Sequence, residues 1–301
     1  MGSFFLKHDK RLNIRLLEVF IAVASHHGYA GAQQELNLST SAISNYMSEL
    51  ENYLGFVLCQ RGRSGFRLTE KGQQFLGYAI KLVNEYDALE RNARAIKGDM
   101  GGTLNIAVLD ATALDSALSL PEVIREFNEC YPAVHINLQI RTPYEQVRGI
   151  LNNQLDLAIG SFPLNMNGVV EKQLYREQHW LYCSDSHPLY DKKGLTVQQI
   201  TQYGLVSRGY WSFSDLRKRG FRHSTATVEN MEAQLALILS GKFIGYLPDH
   251  YAQRLVDEKR LCPLLPSEFG YQAPFSMIIK RGRSREPLIR HMRDLFVRHA
   301  G

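Results

Sequence analysis

The sequence holds no apolar run approaching the ~18 residues a membrane-spanning helix needs, and it does not open on the basic, apolar, small-residue order of a secretory signal. A cytoplasmic protein with no membrane partner is expected. Cysteine is scarce: Cys59, Cys130, Cys183 and Cys262 lie far apart along the chain. With no Cys-x-x-Cys or Cys/His ligand spacing, neither a disulfide framework nor a structural metal is expected. Free thiols are the first reading and a redox-sensing pair the alternative. Also missing are Gly-x-Ser-x-Gly, a Walker-type glycine loop and His-Glu-x-x-His. Asp110 and Asp115 are close in sequence but have no metal-ligating neighbours. No cofactor, metal or catalytic residue is therefore expected. Charge gives little: the net value is +5, and residues 1–98 hold 12 basic against 9 acidic side chains, so bulk charge does not announce nucleic acid.

What is present centres on residues 36–54. Ile43, Met47, Leu50 and Leu54 recur at steps of four, three and four, one face of a helix, and Ser39 stands where an N-cap belongs. The opposite face carries Thr40, Ser41, Ser44, Asn45 and Ser48, short uncharged groups that donate and accept hydrogen bonds and can approach base edges closely. The plain alternative is an ordinary surface helix. Ahead of it, residues 28–36 form a short helix with Ala32 and Leu36 four apart, and Asn37-Leu38 is long enough only for a tight turn, the spacing of a helix-turn-helix. After Gly55, two short strands flank Arg61-Gly62-Arg63-Ser64-Gly65, a basic hairpin resembling a wing, or else a solvated hairpin tip. Arg61, Arg63 and Arg67 there, with Ser39, would contact phosphates.

The residues Ala32, Leu36, Ser39, Ala42, Ile43, Ser44, Leu50, Glu51, Leu54-Gly55, Leu58, Arg61, Leu68-Thr69 and Gly72 resemble the winged helix-turn-helix signature of LysR-type transcriptional regulators, in order and without gaps. The chain departs from that pattern at Gln33 (usually a second alanine), at Ser39-Thr40-Ser41 (usually Ser-Gln-Pro), at Asn45 (usually Arg) and at Cys59 (usually Phe). The resemblance implies a sequence-specific regulator of transcription that binds a pseudo-palindromic double-stranded DNA operator, acts with RNA polymerase, and responds to a small molecule.

From residue 70 a run without proline reaches as far as Pro121. Phe75, Ala79, Leu82, Tyr86, Leu89 and Ala93 alternate steps of four and three, the heptad spacing of a helix that packs along another. A homodimer, or a homotetramer, seamed along this helix is expected; packing on the chain's own second domain is the alternative. Gly98 to Gly102 supplies a linker. The expected domains are 1–69, a winged helix-turn-helix; 70–102, a dimerisation helix and hinge; and 103–301, an effector-binding domain.

Beyond residue 103 strands alternate with helices. Strands are expected at 104–108, 135–140, 155–160, 169–174, 179–183, 204–207, 224–228, 244–248 and 275–279. Helices are expected at 120–130, 144–152, 197–202, 231–239, 251–260 and 287–299. The succession argues a parallel α/β sheet. It also resembles the two-lobed, periplasmic-binding-protein-like domain of the same family, with lobe I at about 103–160 and 264–301 and lobe II at about 161–263. Ligands in such sheets bind beyond the carboxyl ends of strands, which selects Asp110, Thr112, Thr142, Ser161, Phe162, Ser207, Arg208 and Asn230 as effector contacts. Each Ser or Thr has a capping role available instead. Asp110 with Arg208 reads as a zwitterion site or, more simply, as an internal salt bridge. A carboxylate-bearing metabolite is the expected effector. The rival reading is a solute-binding protein or enzyme of the same two-lobed α/β class.

Overall fold

The computed structural model describes residues 12–62, 65–97, 101–162 and 166–300. The chain forms two compact units that divide between Ala93 and Arg94.

The first unit runs α1 (Ile14–Ser25), α2 (Tyr29–Leu36), α3 (Thr40–Leu54), β1 (Cys59–Gly62), β2 (Gly65–Leu68) and α4 (Glu70–Ile96), the last crossing the division. Asn37 takes a left-handed conformation, φ 50°, and turns the chain between α2 and α3. The Ser39 hydroxyl accepts from the Ala42 amide at 3.2 Å and caps α3. Gly55, at φ 73°, ends it. Ile43, Met47 and Leu50 drop into a core with Leu17, Phe20, Val23 and Leu58. The Glu51 carboxylate reaches past the end of α3 and accepts from the Leu58 amide at 2.7 Å, fixing the β1–β2 hairpin against it. A Cβ at Gly72 would stand 2.0 Å from the Leu58 carbonyl, so only glycine lets α4 start this close to the hairpin.

The expected seam along α4 divides. Ala79 is fully buried in this core, and Phe75 packs with its ring 5.9 Å from Phe20 and 6.1 Å from Phe56. These two positions serve the unit's own core and are withdrawn from the dimer stripe. Leu82, Tyr86 and Leu89 stay exposed, at 47%, 39% and 66%, with Tyr78 beside them at 72%, and Ala93 is exposed as well.

The second unit contains β3 (Gly102–Val108), α5 (Leu120–Cys130), β4 (Val134–Ile140), α6 (Pro143–Leu151), β5 (Leu157–Gly160), β6 (Val169–Ser184), α7 (Val197–Ile200), β7 (Gly204–Arg208), α8 (Phe213–Lys218), β8 (Ala226–Val228), α9 (Met231–Leu239), β9 (Phe243–Pro248), α10 (Asp249–Asp257), β10 (Leu261–Pro263), α11 (Pro266–Phe269), β11 (Tyr271–Lys280) and α12 (Pro287–His299). All its strands join one sheet in the order β4-β3-β5-β11-β6-β9-β7-β8, with β10 on β6. The expected parallel sheet is mixed: β4-β3-β5 and β9-β7-β8 are parallel, whereas β6 and β11 run antiparallel to their neighbours.

Residues 169–174 and 179–183, expected as separate strands, are one 16-residue strand, β6. Its first half packs with Phe275 and Ile278 in one lobe, and its second half with Tyr246, Leu205 and Leu264 in the other. The lobe boundary therefore shifts. Phe162, Met166 and Val169 belong to the lobe I core, and Phe269 and Tyr271 to lobe II. The chain crosses within β6 and returns within β11, whose register slips between Phe275 and Ser276. Among the described residues no helix is long and apolar enough to span a membrane.

Candidate functional site

On α3, Thr40, Ser41, Asn45 and Ser48 are exposed opposite the buried Ile43, Met47 and Leu50, and Ser44 is half-buried. The Ser39 hydroxyl lies 2.9 Å from that of Ser41, so it is engaged locally as a cap as well as facing solvent. Arg67, on β2, is exposed. Arg61 stands on β1, and Arg63 lies outside the described residues. A face of hydroxyls and one amide, capped at its start and with only Glu49 charged at its edge, is suited to reading a duplex groove.

The second site is the cleft between the lobes, a cavity of about 280 Å³. Asp110, after β3 in lobe I, crosses it. One carboxylate oxygen takes a hydrogen bond from Arg208 Nη2 at 2.6 Å, and the other accepts from the Met231 amide at the start of α9. The internal bridge is thus formed, and the helix N-terminus expected to face a ligand is occupied by the chain's own carboxylate. Arg208 is nearly fully buried. Burial alone would favour its neutral form, but Tyr210 and Asp110 outweigh that and raise its pKa further, so the guanidinium is charged.

Ser161 and Phe162 line the same cavity. Thr142 and Asn230 line an adjoining one with Asp110, and both also cap helices: Thr142 Oγ1 donates to Glu145 at 2.8 Å, and Asn230 Oδ1 accepts from Ala233 at 2.8 Å. Two expected contacts are corrected. The buried Thr112 hydroxyl donates to the Leu109 carbonyl at 2.9 Å, closing its own turn. Ser207 is buried and lines neither cavity, because alternate residues of β7 face opposite sides and Arg208 takes the cleft side.

The sequence reading missed the cleft's other wall. Arg219 is held against two rings, its guanidinium carbon 3.9 Å from the Tyr271 centroid and 4.4 Å from that of Trp211. His179 stacks on Tyr271 at 4.8 Å and pairs through Nε2 with Glu177 at 2.5 Å. Arg208 Nη1, Arg219 Nε and His179 Nδ1 are buried and have no hydrogen-bond partner among the described residues. The one available signal was local aromatic and basic density around Tyr210-Trp211 and Arg217 to Arg219.

The four cysteines are free, as the first reading expects. Cys183 and Cys262, far apart in sequence, face each other across β6 and β10 with Sγ atoms 3.5 Å apart. The hydrogen bond between them pushes the Cys183 thiol up and draws Cys262 down to about 7. Iodoacetamide at pH 8 is expected to label exposed Cys130 and half-buried Cys262 while sparing buried Cys59 and Cys183. Peptide mapping checks this; Cys183 reacting ahead of Cys262 would reverse the assignment.

The two sites together define a class: a winged-helix DNA reader carrying a two-lobed ligand-binding domain. Residues 14–73 match the bacterial regulatory helix-turn-helix protein model of the lysR family, and residues 97–301 match the LysR substrate binding domain. The HTH-type transcriptional activator BauR of Pseudomonas aeruginosa is 30% identical over 274 residues, 90% of each chain. The solved structure of CbnR, a LysR family transcriptional regulator, has a TM-score of 0.68 at 23% identity, covering 96% of this chain and 100% of that one. Full-length CbnR complexed with its target DNA gives 0.67 at 24% identity, with the same coverage. The chain belongs to the LysR family of DNA-binding transcriptional regulators and carries that family's effector-binding domain.

Proposed function

We propose that the chain acts in the cytoplasm as a homodimer, or a tetramer built from dimers, that presents paired α3 helices to a pseudo-palindromic operator and regulates RNA polymerase there, with no catalytic role of its own. Thr40, Ser41, Ser44, Asn45 and Ser48 read bases, while Ser39, Arg61, Arg63 and Arg67 hold phosphates. The observation that carries this division is the exposed run of short hydrogen-bonding side chains, Ser41, Asn45 and Ser48, opposite the buried stripe of α3, with Glu49 the acidic residue at its edge. Asn45→Ala is expected to relax preference at one or two base positions, by about 1–3 kcal/mol each, whereas Arg67→Ala weakens all duplexes alike and flattens the salt dependence. Binding across a randomised duplex library at several salt concentrations separates them; identical profiles for the two variants would end the division of labour.

The effector reading rests on Asp110. A carboxylate of the chain itself bridges a buried arginine and a helix N-terminus, which is the pair of partners an anionic metabolite would seek. We infer that a small carboxylate competes with Asp110 for Arg208 and the start of α9. Ser161, Phe162, Thr142 and Asn230 bound the space it enters, and Arg219 and Tyr271 form its far wall. Exchanging an internal anion for an external one changes which lobe arrangement is favoured, and so couples the cleft to DNA binding.

A further inference from the structure

Away from the Asp110–Arg208 bridge three side chains converge, of which Glu177 also borders the cleft while Asp115 and His250 do not. Asp115 follows the turn after β3 in lobe I, Glu177 lies mid-β6 where the lobes meet, and His250 opens α10 in lobe II. One donor atom from each lies within 4.8 Å of the other two. They border a cavity of about 310 Å³, which gives an ion an entry path and room for waters.

We propose that this triad is a binding site for a first-row divalent metal ion, held by two carboxylate oxygens and one imidazole nitrogen. The imidazole is held in place: His250 Nε2 donates to the Ala111 carbonyl at 3.0 Å, which fixes the tautomer and leaves Nδ1 as the unprotonated ring nitrogen. A ring nitrogen tied to a carbonyl while the other faces the ion is the usual support of a metal-bound histidine. The carboxylates want a cation. Asp115 is buried and takes hydrogen bonds from the Tyr175 hydroxyl and the Ala117 amide, but no basic side chain is among its described partners. None of the described ion pairs joins His250 to either acid; Glu177 pairs with His179 instead. The separations thus leave a gap, and an ion at the centre of such a triangle is at most about 2.8 Å from each donor. Closing to the ~2.0–2.2 Å of a bound zinc ion takes side-chain shifts under about 1 Å. Oxygen and imidazole donors suit zinc or manganese.

Ligands from both lobes make the ion a cross-link between them, an input separate from the metabolite and independent of the effector reading. The test uses the full-length protein stripped with EDTA and titrated with zinc chloride, read by calorimetry and by the thermal unfolding midpoint. One equivalent is expected to bind each chain and raise the midpoint. Asp115→Asn, which keeps shape and the Tyr175 hydrogen bond, and His250→Ala are each expected to weaken binding at least tenfold and abolish the midpoint shift, while His135→Ala, an exposed histidine elsewhere, changes neither. Matching midpoints without metal establish that the variants are folded. Absence of saturable binding below millimolar zinc, or equal binding in wild type and in both triad variants, would overturn the site.

Discussion

Asp110→Ala is expected to destabilise the effector domain by about 3–5 kcal/mol, because it strands a charged, buried Arg208 and uncaps the first amide of α9 at once. In a unit of this size that lowers the unfolding midpoint by on the order of 10 °C. The double variant Asp110→Leu with Arg208→Met should recover most of the loss, since removing both charges together removes the desolvation they require. Calorimetric unfolding of the three proteins decides the matter, and a double variant as unstable as the single one would show that the bridge is not the cause. The same change separates stability from recognition. With its internal competitor gone, Arg208 is free, so an anionic effector should bind Asp110→Ala more tightly than wild type even though the protein is less stable. Reciprocity then requires operator DNA to change effector affinity by the factor with which effector changes operator affinity. Titrations with and without operator measure both.

The second large effect concerns α4. Leu82→Asp with Leu89→Asp alters two side chains that a single chain leaves 47% and 66% exposed, so the fold of one chain tolerates them. In a seam between two chains the same carboxylates would be desolvated without partners, at several kcal/mol each. The variant is expected to sediment as a monomer. Operator affinity should then fall by about 10²- to 10⁴-fold, because two heads no longer share one binding event. A wild-type sedimentation profile would place the seam elsewhere. Phe75→Asp would not be informative, since that ring packs between Phe20 and Phe56 and its loss would unfold the head.

The head was legible in the sequence because each of its elements is specified locally: Ser39 caps, Gly55 stops, and Ile43, Met47 and Leu50 repeat at helical spacing over a short stretch. The alternation of strands and helices in the second unit was equally plain. What escaped was whatever depends on two distant stretches meeting. Residues 175–178, left between the two expected strands, lie mid-strand in β6, where the chain passes from one lobe to the other. Of these, Glu177 lines the cleft, and all four border the second cavity beside Asp115. Helix α8 is only six residues long and gives no sustained period, which hid Arg219 just beyond it. Ser207 failed for a one-residue reason: on a strand, the neighbour of a cleft residue points away from the cleft. That Cys183 and Cys262 are neighbours across β6 and β10 was not legible either, because cross-strand register is not written in spacing.

That β6 and β11 each belong to both lobes has a mechanical meaning. Lobes joined by loose loops swing as rigid bodies about a pin, whereas these two are continuous in the backbone hydrogen bonds of one sheet. Relative motion must be stored as twist along two strands, concentrated where the β11 register slips between Phe275 and Ser276, the irregularity at which a ladder bends most readily. On the proposed reading, ligand exchange at Asp110 would have to reach the rest of the domain as a twist of β6 and β11.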